Sequence, residues 1–276
     1  MKIPREVPVR LKRRSRLFLL LLSESSFLIG VYFYAYPAIA RTFWPWTVAS
    51  LAVRFLGAIF LAITFGCWSV LREDLWQRSK ILVLVGGTFY FLSGIVTFYQ
   101  ALLLNSLIAW LWTLYFLLAS LGLFVVLRTY GWFMTIGDFL DEPGTGKMAR
   151  LFFRVQTIIV GIFGSILVLL PDLGQMQFWP WRVSMPATLQ IFGSLFIATC
   201  LATGWASVQK DRGRMRILLP LDASFPSLAL VAVFWDRNVI VQQSPSWLVT
   251  AVWVGLYLFV AIGSTILYWK IRVRWH

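Results

Sequence analysis

Charged residues inside apolar stretches are the first candidates for chemistry in this sequence. Glu24 lies in the first such stretch and Arg54 in the second, and they enter from opposite ends. In helices that rise about 1.5 Å per residue, each lies about 10 Å deep, and their long side chains can meet if the helices pack together. Charge inside a bilayer is costly, so the pair predicts a polar site that recognises an anion or relays a proton. The alternatives are a structural ion pair, or an Arg54 side chain that extends to the interface.

A second candidate site combines the third and seventh apolar stretches. Gly86-Gly87 interrupts the third, and Pro220, Asp222 and Pro226 interrupt the seventh. Paired interruptions at corresponding positions of two repeats are typical of transporter binding sites. The alternative for Asp222 is a first-turn carboxylate stabilised by its helix N-terminus, and for the glycines it is close helix packing.

The sequence lacks the residues that other kinds of chemistry require. The only histidine is His276, which leaves no Ser-His or Cys-His pair and no zinc or haem ligand set. Glu142–Lys147 faintly resembles a phosphate loop but lacks its glycine and hydroxyl positions. Cys67 and Cys200 lie in apolar stretches and are expected to be reduced. We therefore expect no enzyme, no catalytic residue, no metal site and no cofactor.

The composition indicates an integral membrane protein. Of the 276 residues, 59% are hydrophobic and 13% are charged. Soluble domains are nearer half apolar and a quarter charged. Several runs reach the length of roughly 20 residues that crosses a bilayer as a helix, and no period-2 pattern of a barrel is visible. The sequence predicts an all-α fold with eight transmembrane spans: Leu17–Tyr36, Thr47–Leu71, Ile81–Leu103, Leu107–Leu127, Leu151–Leu170, Pro186–Val208, Ile217–Trp235 and Trp247–Trp269.

Basic residues give the orientation. With the N-terminus inside, the inner segments hold 21 of the 25 Lys and Arg residues. The outer loops hold only Arg41, Arg182 and Arg237. By the positive-inside rule, we expect a multi-pass protein of the inner cell membrane with both termini cytoplasmic. The same rule accounts for the net charge of +14 without a nucleic-acid partner.

The string FWPW occurs twice, at Phe43–Trp46 and Phe178–Trp181, because the chain is internally repeated. A shift of about 134–137 residues aligns Gly30 with Gly164 and Thr113 with Thr250. Four spans per half predict two parallel four-helix repeats about an axis along the membrane normal. The predicted segments are a basic N-terminus (1–16), the first repeat (17–128), a cytoplasmic linker (129–149), the second repeat (150–271) and a tail (272–276).

The two FWPW strings are predicted to anchor the chain at the outer interface. Tryptophan prefers the headgroup region, and proline suits the first turn of a helix. Trp44 and Trp46 would anchor the second span, and Trp179 and Trp181 the sixth. A direct ligand role is the alternative.

The first FWPW string carries a resemblance. Followed by Leu51, Arg54 and Gly57-Ala58, it resembles the string F-W-P-W-x-L-T-P-L-x-x-R-x-x-G-A of a group of uncharacterised bacterial multi-pass membrane proteins. The match departs at Val48, Ala49 and Ser50, and the second copy has Gln190 in place of the arginine. The resemblance implies a helical membrane architecture and no particular activity.

The leading functional hypothesis is a non-enzymatic protein that binds or transports a small solute or lipid between its repeats. The alternative is an accessory or scaffold subunit of a larger membrane complex, which few intramembrane charges and abundant aromatic surface would suit. A lipid-modifying enzyme is a third hypothesis, without an acid-base constellation. The expected partners are membrane lipids, which the basic cluster Arg10–Arg16 would contact, and other membrane subunits.

Overall fold

The computed structural model describes residues 9–130, 146–181, 183–208, 212–238 and 246–273. Within these ranges the chain forms eight long helices and no β-strand beyond an isolated bridge between Arg10 and Leu75. All eight are long and apolar enough to cross a membrane, which confirms the predicted all-α, multi-pass class. We number them α1 (Arg13–Ala35), α2 (Ser50–Glu73), α3 (Trp76–Leu104), α4 (Leu107–Tyr130), α5 (Lys147–Leu169), α6 (Pro186–Val208), α7 (Arg212–Trp235) and α8 (Trp247–Val273).

Some predicted segments fall outside the described residues. They are most of the linker (131–145), including the greater part of Glu142–Lys147, the first eight residues of the basic N-terminus, and the end of the tail with His276. The described chain resumes at Gly146, immediately before α5.

Local backbone rules explain where the helices end. α1 ends at Ala35 because Tyr36 precedes Pro37, and proline disfavours a helical conformation in the residue before it. α2 and α3 are followed by Asp74 and Asn105, whose φ angles of 52° and 44° are left-handed. Asp and Asn tolerate this conformation better than most residues, so the chain turns sharply into the next helix.

The helices pack as four antiparallel pairs: α1 with α2, α3 with α4, α5 with α6, and α7 with α8. The pairs are joined through contacts of α2 with α7 and of α3 with α6. In its most apolar section α2 is 78% buried, whereas α4, α5 and α8 are each 28% buried. The inner helices α2, α3, α6 and α7 therefore form the core, and the other four surround it.

The FWPW strings do not have the predicted position. Helix α2 begins at Ser50, so Pro45 lies in an irregular segment before it rather than in its first turn. Trp44 and Trp46 are only 3% and 5% exposed, and Trp179 and Trp181 are equally buried. The prediction of headgroup-facing anchors is therefore corrected: these indoles fill the end of the bundle.

Aromatic and polar contacts inside the protein explain this burial. Trp44 lies 4.8 Å from Trp112 between ring centroids, and Trp179 lies 4.5 Å from Trp253. The indole Nε1 of Trp46 donates a hydrogen bond to Thr188 Oγ1 of α6 over 2.7 Å. This bond offsets the cost of removing the Trp46 N–H from water. The other three indoles are held by ring packing, since their Nε1 atoms have no hydrogen-bond partner among the described residues. We call the end of the bundle that holds the two FWPW strings the FWPW end. The opposite end, where α2 ends and α3 begins with Arg72, Arg78 and Lys80, is the basic end.

The predicted interruptions of the third and seventh spans do not break the helices. α3 is continuous through Gly86-Gly87, and α7 is continuous through Pro220 and Pro226. α7 also begins at Arg212 rather than at the predicted Ile217. Asp222 therefore lies about 15 Å along its helix, at about 1.5 Å per residue, and is not the first-turn carboxylate of the alternative interpretation.

Candidate functional site

A cavity of about 40 Å³ lies among the helices, beside α7. Six helices line it: α2 and α3 from the first half of the chain, and α5, α6, α7 and α8 from the second. A buried site needs roughly 10–15 Å³ to hold one water molecule on this kind of measure. The cavity therefore has room for a small group of a few heavy atoms.

Asp222 is the polar centre of this cavity. It is 4% exposed and lies on α7. Its Oδ2 accepts a hydrogen bond of 2.7 Å from Ser264 Oγ of α8, and its Oδ1 accepts one from Gln156 Nε2 of α5. Three helices of the second half are thus tied together through one carboxylate. These bonds stabilise the charged form of the carboxylate against the cost of burial.

Two polar atoms at the cavity have no hydrogen-bond partner in the described part of the chain. They are Oε1 of Gln156 and the hydroxyl of Tyr257, in side chains that are 1% and 4% exposed. Both residues line the cavity with Asp222. Buried polar groups are nearly always paired, so these two atoms make the cavity a candidate site for a molecule that supplies the partners.

Aromatic rings form one wall of the cavity. Phe225 lies 5.8 Å from Tyr257 and 6.3 Å from Phe196 between ring centroids. The Phe225 and Tyr257 rings are nearly perpendicular, at 76°. Edge-to-face packing of this kind favours a rigid wall. The site therefore combines one carboxylate with ring surfaces.

Arg54 has a different partner from the predicted one. Its Nε lies 3.0 Å from Oδ2 of Asp236, just beyond α7, and its guanidinium carbon lies 4.9 Å from the centre of the Trp235 ring. Another guanidinium nitrogen donates to the carbonyl oxygen of Tyr34 at the end of α1. The predicted Glu24–Arg54 pair is therefore wrong, because Arg54 turns toward α7.

Glu24 lies on the outer surface of the bundle. Its side chain is exposed, near the middle of α1. It makes no hydrogen bond or ion pair with any other described residue. Its position thus separates it from both Arg54 and the cavity.

At the basic end, a second ion pair joins the same two helices. Glu73 at the end of α2 accepts from Arg78 of α3, and its Oε1 lies 3.9 Å from Arg216 of α7. Arg54–Asp236 and Glu73–Arg216 therefore link α2 to the α7 region at opposite ends of the bundle. The Asp222 cavity lies between them along α7.

The predicted glycines do not contact the cavity. A Cβ built on Gly86 would lie 3.0 Å from Cδ1 of Leu123 on α4, and one on Gly87 would meet no atom within 4 Å. Their neighbour Val85 lines the cavity instead. Gly86 allows close packing of α3 on α4, which matches the alternative interpretation. Of the five predicted binding residues, only Asp222 lies at the cavity.

Sequence reasoning missed Gln156, Tyr257, Ser264 and Asp236. Gln156 carried a signal, since an amide in the middle of an apolar span requires a partner. Tyr257 and Ser264 carried none, because single hydroxyls are common in membrane helices. Asp236 directly follows the predicted span Ile217–Trp235, where a carboxylate needs no special explanation. No family model, curated protein or solved structure matches the chain.

Proposed function

We propose that the protein binds a small solute in the Asp222 cavity and transports it across the membrane between two four-helix halves, without catalysing a reaction. The observation that carries this proposal is the buried Asp222 carboxylate beside unpaired atoms of Gln156 and Tyr257, where six helices meet. Unpaired buried polar groups raise the free energy of the folded protein, and a ligand with complementary groups lowers it.

The proposed halves are the parallel repeats 17–128 and 150–271. Their packing is matched, since α1 packs on α2 as α5 packs on α6, and α3 on α4 as α7 on α8. Exchange of the halves also converts the α2–α7 contact into the α6–α3 contact. This pattern supports a pseudo-two-fold axis along the membrane normal, the arrangement of transporters built from parallel repeats.

Close glycine contacts occur at corresponding positions of the two halves. A Cβ on Gly57 would lie 2.9 Å from the carbonyl oxygen of Gly30. A Cβ on Gly193 would lie 3.0 Å from the carbonyl oxygen of Gly164. Small residues let membrane helices approach closely, and the two pairs support the same α1–α2 and α5–α6 geometry.

Two further contacts support the proposed repeat and favour one alignment of the last helix of each half. Trp112 Nε1 donates to the carbonyl oxygen of Phe43 over 2.7 Å, and Trp253 Nε1 donates to that of Phe178 over 2.8 Å. Both phenylalanines begin an FWPW string. If Trp112 is aligned with Trp253, the shift between the two halves is about one helical turn longer in this helix than the shift that aligns Thr113 with Thr250.

In this alignment the polar site belongs to the second half alone. Three apolar residues of the first half correspond to the hydrogen-bonded group of the second: Leu22 to Gln156, Gly86 to Asp222, and Leu123 to Ser264. The first half therefore serves as a wall that moves against a site held by the second half.

The two α2–α7 ion pairs are suited to close the ends of the solute path. Arg54–Asp236 lies at the FWPW end and Glu73–Arg216 at the basic end. Rocking of the halves would open one end while the other stays closed. By the positive-inside rule, the proposed orientation in the inner cell membrane places the basic end and both termini in the cytoplasm.

Water access to the cavity tests the proposed function. Cys67 and Cys200 are replaced by alanine, and a single cysteine is introduced at Val260, which lines the cavity. A small charged thiol reagent should label it in reconstituted vesicles. The matched control is Ala119→Cys at the corresponding buried position of the first half, which does not line the Asp222 cavity and should stay unlabelled. A Val260→Cys variant as protected as the control would contradict a solute path.

Glu24 favours a second candidate function, that of a subunit in a larger membrane complex. An exposed carboxylate near the middle of a membrane helix is costly against lipid and is satisfied by a polar group of another chain. In this case Glu24→Gln should release proteins that copurify with the wild-type chain in mild detergent. Leu28→Gln, on the same exposed face, is the matched control. Purification of the wild-type chain without any stoichiometric partner would exclude this function.

A further inference from the structure

The Asp222 cavity is lined mainly by apolar surface, and the few polar side chains around it include hydrogen-bond acceptors and no cationic group. Besides the carboxylate, Gln156 Oε1 is an unpaired acceptor, and the unpaired Tyr257 hydroxyl can accept as well. None of the residues that line the cavity is Lys, Arg or His. A ligand that donates hydrogen bonds would satisfy these acceptors, and a positive charge on it would complement the Asp222 carboxylate.

The backbone of α7 adds a further acceptor. Pro226, which also lines the cavity, has no N–H. The carbonyl oxygen of Asp222, four residues earlier, thus loses its usual helical donor.

The aromatic wall distinguishes between kinds of cation. Ring faces attract ammonium groups, and alkyl substituents on nitrogen pack well against Phe196 and Phe225. Inorganic cations such as Mg²⁺ or Ca²⁺ instead require about six or more oxygen ligands. The lining is mainly aliphatic and aromatic and supplies too few oxygens for such a shell.

We infer that the Asp222 cavity binds the protonated amino group of a small amine, of the size of methylammonium. The ammonium N–H groups donate to Asp222, Gln156 Oε1 and Tyr257 Oη, and the methyl group contacts the aromatic wall. The size follows from the volume of about 40 Å³. This inference rests on the proposed function, because it names the solute of the same site.

Binding of methylammonium to the purified full chain tests the inference. Dissociation constants are measured by calorimetry at constant ionic strength, with sodium chloride and acetamide as inorganic and neutral comparisons. Asp222→Asn should weaken methylammonium binding roughly tenfold or more, the loss of a charged hydrogen bond. Tyr257→Phe removes one hydroxyl from the cavity and should weaken binding by a smaller factor. Tyr90→Phe removes a hydroxyl that is buried and bonded to Ser26 away from the cavity, so it should leave binding unchanged.

The outcomes separate the inference from the proposed function. Equal affinity in wild type and Asp222→Asn, or equal losses in Tyr257→Phe and Tyr90→Phe, would overturn the amine site. Asp222-dependent binding of sodium or acetamide without methylammonium would also overturn it, while leaving a solute site in place. Absence of saturable methylammonium binding to wild type overturns the inference whatever the cysteine labelling shows. If Asp222→Asn does not fold, the comparison of the two tyrosine variants decides.

Discussion

Arg54 of α2 and Asp236 beyond α7 form an ion pair that joins the two halves of the chain, with Nε and Oδ2 3.0 Å apart. Their side chains are only 11% and 14% exposed. The Trp235 ring covers the guanidinium, and the Tyr34 carbonyl oxygen accepts a further hydrogen bond from it. Since water has little access, the interaction is stronger than a surface ion pair.

Removal of one partner should therefore be costly. We expect Asp236→Asn to lower the free energy of unfolding by about 2–4 kcal/mol, because the Arg54 charge stays buried without its counter-ion. Unfolding by a denaturing detergent measures the change. Arg237→Gln, which removes an exposed charge from the next position, is the matched control and should have little effect. Equal losses for the two variants would contradict a stabilising pair.

Glu24 and Arg54 should behave independently. Glu24 is exposed on α1 and Arg54 is bound to Asp236, so the structure gives them no shared partner. In a double-mutant cycle of Glu24→Gln and Arg54→Gln, the effects on unfolding free energy should add within about 0.5 kcal/mol. A coupling energy well above that value would restore the pairing that the sequence suggested.

Glycine substitutions should differ sharply between α2 and α3. A Cβ on Gly57 would lie 2.7 Å from the backbone nitrogen of Tyr34, whereas one on Gly87 meets nothing within 4 Å. Backbone cannot move aside as a side chain can. Gly57→Ala should cost about 1–3 kcal/mol of stability, and Gly87→Ala should be neutral. Thermal unfolding of the two purified variants gives the comparison, and similar midpoints would argue against close α1–α2 packing.

The helices were predictable because apolar length alone determines them in a membrane protein. All eight expected spans occur, with bounds displaced by a few residues. The predicted breaks failed because glycine and proline are tolerated inside membrane helices when neighbouring groups satisfy the backbone. At α7, Pro220 and Pro226 remove the helical donors of the carbonyl oxygens four residues earlier, at positions 216 and 222, and the helix continues through both prolines.

The candidate site was predictable only at Asp222, where a carboxylate in an apolar span carries an evident cost. Its partners lie on α5 and α8, so they depend on how the helices pack rather than on local spacing. The same holds for Arg54, whose partner Asp236 is 182 positions away. The predicted position of the buried tryptophans was wrong for a related reason. The preference of tryptophan for the membrane interface describes isolated side chains, whereas here the FWPW strings pack against other parts of the protein.

Side-resolved labelling of Val260→Cys tests the central claim, a solute path through the Asp222 cavity that opens at one end at a time. In this proposal, Asp236→Asn would weaken the closure at the FWPW end, and Glu73→Gln would weaken it at the basic end. We predict that the first change accelerates labelling by a membrane-impermeant thiol reagent added from the FWPW side, and that the second accelerates labelling from the basic side. Labelling rates that rise equally from both sides, or that neither change affects, would contradict alternating access at this cavity.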